Sequence, residues 1–241
     1  MKVKICGITN EADALLAAGL GANAVGFVFA PSPRQVSPRV VQQIVDRLPR
    51  EVLTVGVFRD EAPARVVEIV NRIGLGAAQL HGHESTEQSR WVAARVPLTI
   101  RAFPAGHPGI GRIDDYGASL VMIDAASPGS GEVFDWRLAE GVVDPARLFV
   151  SGGLDADNVG DAIAHLRPFG VDVSSGVEAE PGRKDPHKLR AFVVAARQAA
   201  MDIGLEGEED ALAAAWVSAT DRVGGGSDDD GDRPFDWQED G

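Results

Sequence analysis

The chain has 241 residues, 44% of them hydrophobic, which is enough for one large domain or two small ones with a substantial core. A formal net charge of -13 argues against binding nucleic acid or an anionic membrane surface through bulk charge, and no apolar run approaches membrane-spanning length. The single cysteine, Cys6, cannot form an internal disulfide, and no charged-then-apolar leader precedes Lys2, so the expectation is a cytoplasmic protein.

Apolar, strand-like runs alternate with amphipathic stretches along most of the chain. The expected strands are 2–6, 24–29, 53–58, 77–80, 98–103, 120–124, 148–151 and 171–173. Alternation along the first puts Lys2, Lys4 and Cys6 on one face and Val3 and Ile5 on the other, with Cys6 at the strand's carboxyl end. Asn10 can cap a helix reaching Gly19, and Ser37-Pro38 starts another that ends near Leu48, with proline at the first helical position. Further helices fit 62–73, 84–95, Asp155 or Asp157 to Leu166, and Asp185-Pro186 to Ala200. The stretch 109–117 is too short and glycine-rich for a full helix.

Strand–helix–strand units repeated eight times give a parallel sheet by right-handed crossovers, and eight such units close into a (β/α)8 TIM barrel over residues 1–203. A doubly wound open sheet is the alternative, but it would gather its polar motifs near one switch point, whereas here they follow strands one, two, six, seven and eight. The remaining 204–241 reads as an acidic, glycine- and aspartate-rich tail with a short helix at 210–218 followed by disorder. Phe235-Asp236-Trp237 near its end repeats Phe134-Asp135-Trp136.

Ser151-Gly152-Gly153 and Ser174-Ser175-Gly176 follow strands seven and eight, where barrels hold phosphate. Bare glycine backbone lets N–H groups approach oxygens there, and serines add hydroxyl donors. Their occurrence in consecutive units points to a phosphate-bearing ligand. Lysine occurs only at positions 2, 4, 184 and 188 while arginine is plentiful, so most basic side chains suit bidentate anion contacts. No Cys/His cluster has metal-ligand spacing, and no cofactor is called for.

These residues resemble the phosphoribosylanthranilate isomerase family of tryptophan biosynthesis. The resemblance runs through Lys4-Ile5-Cys6-Gly7-Ile8-Thr9, Gly26-Phe27-Val28-Phe29 with Ser32-Pro33-Arg34, Gln79-Leu80-His81-Gly82, Gly129-Ser130-Gly131, Ser151-Gly152-Gly153-Leu154 and Val171-Asp172-Val173-Ser174-Ser175-Gly176-Val177-Glu178. Pro181-Gly182 and Lys184-Asp185 complete it. The loop after strand six departs from the pattern, with Glu132 where many relatives have a basic residue, and the segment beyond about residue 204 matches nothing in the family.

The resemblance implies an Amadori rearrangement of N-(5-phosphoribosyl)anthranilate, a small phosphoribosyl substrate, with Cys6 as general base and Asp124 as general acid. It also implies that Arg34 holds the aromatic carboxylate, while Gly152, Gly153, Ser174, Ser175 and Gly176 hold the phosphate. His81 and Arg101 are candidate pocket-lining residues, Arg101 also a second anion contact, and His83 is expected in solvent. A buried Lys4 needs a partner, and Asp172 on strand eight, the neighbour of strand one in a closed barrel, is the expected one. The competing readings are a histidine-pathway isomerase doing the same rearrangement, an enzyme doing both, indole-glycerol phosphate synthase, or a non-catalytic phosphosugar-binding protein. The histidine-pathway relative carries aspartate where Cys6 stands, and the synthase needs catalytic lysines between Lys4 and Lys184, where there are none. The assembly is expected to be a monomer or homodimer.

Overall fold

Short runs rich in valine, isoleucine, leucine and phenylalanine form eight parallel strands: β1 (Lys2–Ile5), β2 (Ala24–Val28), β3 (Leu53–Phe58), β4 (Ala77–Leu80), β5 (Thr99–Pro104), β6 (Leu120–Asp124), β7 (Leu148–Val150) and β8 (Gly170–Val173). In this computed structural model β1 pairs with both β2 and β8, so the sheet closes into a barrel and the open-sheet alternative falls. The structure describes residues 1–124, 136–138, 141, 143–205 and 211–221. Gly129-Ser130-Gly131, Glu132, Phe134-Asp135 and the segment with Phe235-Asp236-Trp237 lie outside them.

Six helices follow the strands: α1 (Glu11–Gly19), α2 (Pro38–Val45), α3 (Pro63–Ile73), α4 (Thr86–Ala93), α5 (Val159–Leu166) and α6 (Pro186–Asp202). Their starts are written locally. Asn10, Ser37, Ser85 and Asp185 each accept a backbone N–H of the first turn, and proline opens α2, α3 and α6 where its missing donor costs nothing. Between β5 and β6 the chain makes only a 3-10 segment, Ile110–Tyr116, stopped by Gly117 in the left-handed region (φ 66).

Two apolar layers hold the barrel. Outward residues such as Val3, Ile5, Phe27, Val121 and Val171 pack under the helices. Inward residues such as Leu53, Val55, Ile100, Leu120, Met122 and Phe149 fill the interior, so the barrel is a packed core open for chemistry only at its carboxyl end.

Two further features follow β8. After β8 the chain folds a small antiparallel hairpin, β9 (Glu178–Glu180) and β10 (Arg183–Lys184), turning at Gly182 (φ 83). Past α6, a seventh helix, α7 (Ala211–Asp221), packs on the amino ends of the strands, with Trp216 stacked near Phe149. The sequence suggests a short helix at 210–218, and the structure has one at Ala211–Asp221. Its packing against the barrel was not expected.

The Ser85 hydroxyl and the Gln88 side chain form a reciprocal cap on α4, the helix that anchors the loop after β4. Ser85→Ala should lower stability by about 0.5–2 kcal/mol in urea denaturation.

Candidate active site

The interior face of β1 carries two chemically active side chains in succession, Lys4 and Cys6. The β1–β8 register sets Lys4 beside Asp172, and the Lys4 Nζ lies 2.8 Å from Asp172 Oδ1, the ion pair expected from strand adjacency. Ser151 at the end of β7 donates to the other oxygen, Oδ2, at 3.3 Å. Lys4 has no exposed surface. Burial pulls its pKa down, but Asp172 and Cys6 outweigh that and leave it raised, so it stays an ammonium ion.

That ammonium and the Cys6 thiol act on each other: the sulfur helps hold Lys4 charged, and Lys4 favours ionisation of the sulfur. Gly26 on β2 makes the room: a Cβ there would sit 2.9 Å from the Cys6 Sγ and 3.1 Å from the Lys4 Nζ. Burial pushes the Cys6 thiol up, while Lys4 and Lys184 pull it back toward ionisation and Asp172 opposes them.

Lys184 belongs to a second ionic group above the first. Arg34 donates from Nε and Nη2 to Glu178 Oε1 (2.8 Å) and Oε2 (2.7 Å), and Lys184 Nζ donates to the same Oε1 (2.9 Å) and to the Ser174 carbonyl (3.1 Å). Burial favours the neutral acid, but the bonds from Arg34 and Lys184 win and hold Glu178 below its ordinary value. The Glu178 bond raises Arg34, whereas burial lowers Lys184. Arg34 thus arrives with one edge of its fork already on a carboxylate of the chain. A guanidinium has five N–H donors, so its other edge is chemically able to take a second carboxylate.

Gly7 brings these groups together. It sits in the left-handed region (φ 74), and a Cβ there would lie 2.5 Å from Arg34 Cδ and 2.8 Å from Ser174 Oγ. The two small-residue loops stand next to it at the ends of β7 and β8. Gly152 (φ 85) and Gly153 (φ 66) are both left-handed, and Gly176, in the 3-10 turn Ser175–Val177, rests on the Leu154 carbonyl with no room for a side chain.

On the opposite wall, Asp124 ends β6 nearly buried, at the same carboxyl end as Cys6. His81 Nε2 lies 3.1 Å from Asp124 Oδ2, and the Gln79 amide nitrogen lies 3.0 Å from His81 Nδ1. With that amide donating to Nδ1, a neutral imidazole carries its proton on Nε2, the atom facing the carboxylate. His83 is exposed and pairs with Asp60.

Arg101 is elsewhere. It points out of the barrel, where its guanidinium donates to the carbonyls of Leu80, Ala102, Gly82 and Glu84 and lies 3.1 Å from the Glu84 carboxylate. It orders the loop after β4 and has no edge turned to the interior, so the expectation of a second anion contact finds no geometric support. Among the described residues, no group of three or more His, Cys, Asp or Glu could hold a metal ion, and no helix is long and apolar enough to cross a membrane.

Residues 3–195 match the family model of N-(5'phosphoribosyl)anthranilate (PRA) isomerase. The chain belongs to the phosphoribosylanthranilate isomerase family. The N-(5'-phosphoribosyl)anthranilate isomerase of Desulforudis audaxviator is 47% identical over 204 residues, which cover 82% of this chain and 98% of that one. The crystal structure of the Thermus thermophilus phosphoribosyl anthranilate isomerase superposes with a TM-score of 0.77 at 40% identity, covering 82% of this chain and 99% of that one. A phosphoribosyl anthranilate isomerase in complex with reduced 1-(o-carboxyphenylamino)-1-deoxyribulose 5-phosphate matches with a TM-score of 0.73 at 40% identity and the same coverage. Gln79, which bonds His81, Glu178, which bonds Arg34, and Lys184, which bonds Glu178, are partners of the candidate residues that sequence reasoning did not single out. A glutamine two residues before a strand-end histidine was the one available signal for Gln79.

Replacing Lys4 leaves Asp172 as an uncompensated buried charge. Lys4→Met should cost about 3–5 kcal/mol in chemical denaturation, and adding Asp172→Leu should recover most of it.

Proposed function

We propose that Cys6 and Asp124 divide the acid and base work of the phosphoribosylanthranilate isomerase reaction, the tryptophan-pathway activity of this family. The observation that carries this reading is the placement of a cation-flanked thiol and a nearly buried carboxyl at the same end of one closed barrel.

The reaction is a redistribution of protons within one molecule. Asp124 protonates the furanose ring oxygen; the bond from that oxygen to C1 breaks, leaving a free hydroxyl and an iminium between C1 and the anthranilate nitrogen. The Cys6 thiolate then removes the proton from C2, and those electrons form the enolamine. Protonation at C1 with loss of the enol proton gives the ketone, 1-(2-carboxyphenylamino)-1-deoxyribulose 5-phosphate. No electron leaves the substrate.

Each neighbour has a proposed part. Lys4 stabilises the thiolate, with Asp172 holding Lys4 in place. Lys184 adds positive field from the other side. Arg34 takes the anthranilate carboxylate on the edge turned away from Glu178. The backbone at Gly152, Gly153 and Ser174–Gly176, with the serine hydroxyls, takes the phosphate, as expected for loops after strands seven and eight. His81, with its tautomer set by Gln79, stands with Nε2 3.1 Å from Asp124 Oδ2 and backs that carboxyl on the side away from the substrate. The relative solved with a reduced carboxyphenylamino-deoxyribulose phosphate supports this ligand class. We infer a cytoplasmic setting from the biosynthetic role.

Cys6→Ala and Asp124→Asn should each lower kcat by about 10²–10⁴-fold with the circular dichroism spectrum unchanged, while Arg34→Met should act on KM, raising it by about 10–100-fold. A Cys6→Ala protein with near-native turnover would remove the base assignment. In the pH profile, activity requires the ionised thiol, so kcat/KM rises with pH through the Cys6 pKa. Lys184→Met removes one of the two cations that pull that pKa down, so the rising limb should move to higher pH; an unmoved limb would show that Lys184 does not act on the thiol.

A further inference from the structure

The candidate active site lies at the carboxyl end of the barrel. The amino end is covered by a helix that the family match does not reach: the match ends at residue 195, and α7 begins at Ala211. The surface beneath it is apolar. Leu53, Ala77, Leu98 and Leu120 stand at or next to the amino ends of β3 to β6, and Phe149 and Phe169 close the other side.

Trp216 is the anchor of α7. It is 3% exposed, stacks near Phe149 (ring centroids 6.0 Å, interplanar 20°) and meets Phe169 edge-on at 5.7 Å. Lys2 Nζ lies 5.7 Å from the Trp216 ring centroid, so a cation at this end of β1 also faces the indole. Ala219, one turn further, is buried against the barrel. Its carbonyl comes so near the start of β4 that a Cβ at Gly76 would lie 2.8 Å from it, and glycine there lets the helix backbone seat. The other face of α7 is in solvent, with Val217 55% exposed.

We propose that α7 is a built-in plug of the barrel floor. Seated by Trp216, it occupies the apolar surface that would otherwise bind a second copy of the chain, and so keeps the protein monomeric. A contiguous aromatic and aliphatic floor is the kind of patch that soluble monomers seldom leave open.

Hydrogen exchange on the intact protein and light scattering on the intact protein and Trp216→Asp test this. The α7 amides should exchange at least about a hundredfold more slowly than those of an unstructured peptide, and the intact chain should be a monomer at all concentrations. Trp216→Asp should lose that protection and dimerise as concentration rises, with kcat within about twofold of wild type because the chemistry is at the other end. Trp216→Ala, which removes the anchor without burying a charge, gives the same comparison should Trp216→Asp fail to fold. Unprotected α7 amides in the intact chain, a dimeric intact chain, or a folded, active variant that stays monomeric would each overturn the proposal.

Discussion

An ammonium ion and a carboxylate buried side by side at the seam of the barrel set the terms for the rest of the site. Closing eight strands brings β1 against β8, and their register puts Lys4, fully buried, next to a nearly buried Asp172. Two charges out of water are tolerable only when they pair well and their remaining hydrogen bonds are met. Here the 2.8 Å contact joins the two charges and the Ser151 hydroxyl donates to the free carboxylate oxygen. The pair ties barrel closure to chemistry: the same contact that joins the first and last strands delivers a fixed positive charge to the sulfur.

From that point the site divides by electrostatics. The β1, β2 and β8 side gathers Lys4, Lys184 and Arg34 with Asp172 and Glu178 around a thiol; the cations suit a phosphate or an aromatic carboxylate there, and Lys4 and Lys184 offset part of the burial that pushes the thiol up. The β4 and β6 side offers a carboxyl with a histidine and an amide behind it. A reaction that needs an acid and a base on opposite sides of one sugar calls for two such unlike walls, and a single polypeptide ring supplies them by alternation alone.

Much of this was readable because it is local. Strand periodicity, caps such as Asn10 and Asp185, and prolines at helix starts are each encoded within a few residues, and they placed every strand of the barrel within about two residues. The Lys4–Asp172 pair was also legible, since strands one and eight must meet in any closed barrel. The Arg34–Glu178 pair was not. Its partners are 144 positions apart, and they meet because β9 and β10 fold back over the loop after β2, which no periodicity announces. Arg101 carried a usable signal that went unread: it alternates with the inward Ile100 and Ala102, and this sends it outward. Trp216 sits alone among alanines in a helix with no strong apolar stripe, so only the folded chain reveals its seat on the barrel floor.

The central claim is that the sulfur of residue 6 takes the proton from the sugar carbon. Turnover of substrate deuterated at ribose C2, compared with unlabelled substrate in the Cys6→Ser and Asp124→Asn proteins, tests it most directly. With a weaker base in place of the thiol, proton removal becomes the slow step, so Cys6→Ser should show a primary isotope effect well above unity, while Asp124→Asn, slowed at ring opening, should stay near unity. An effect near unity in Cys6→Ser, or a large one confined to Asp124→Asn, would contradict the assignment of these two groups.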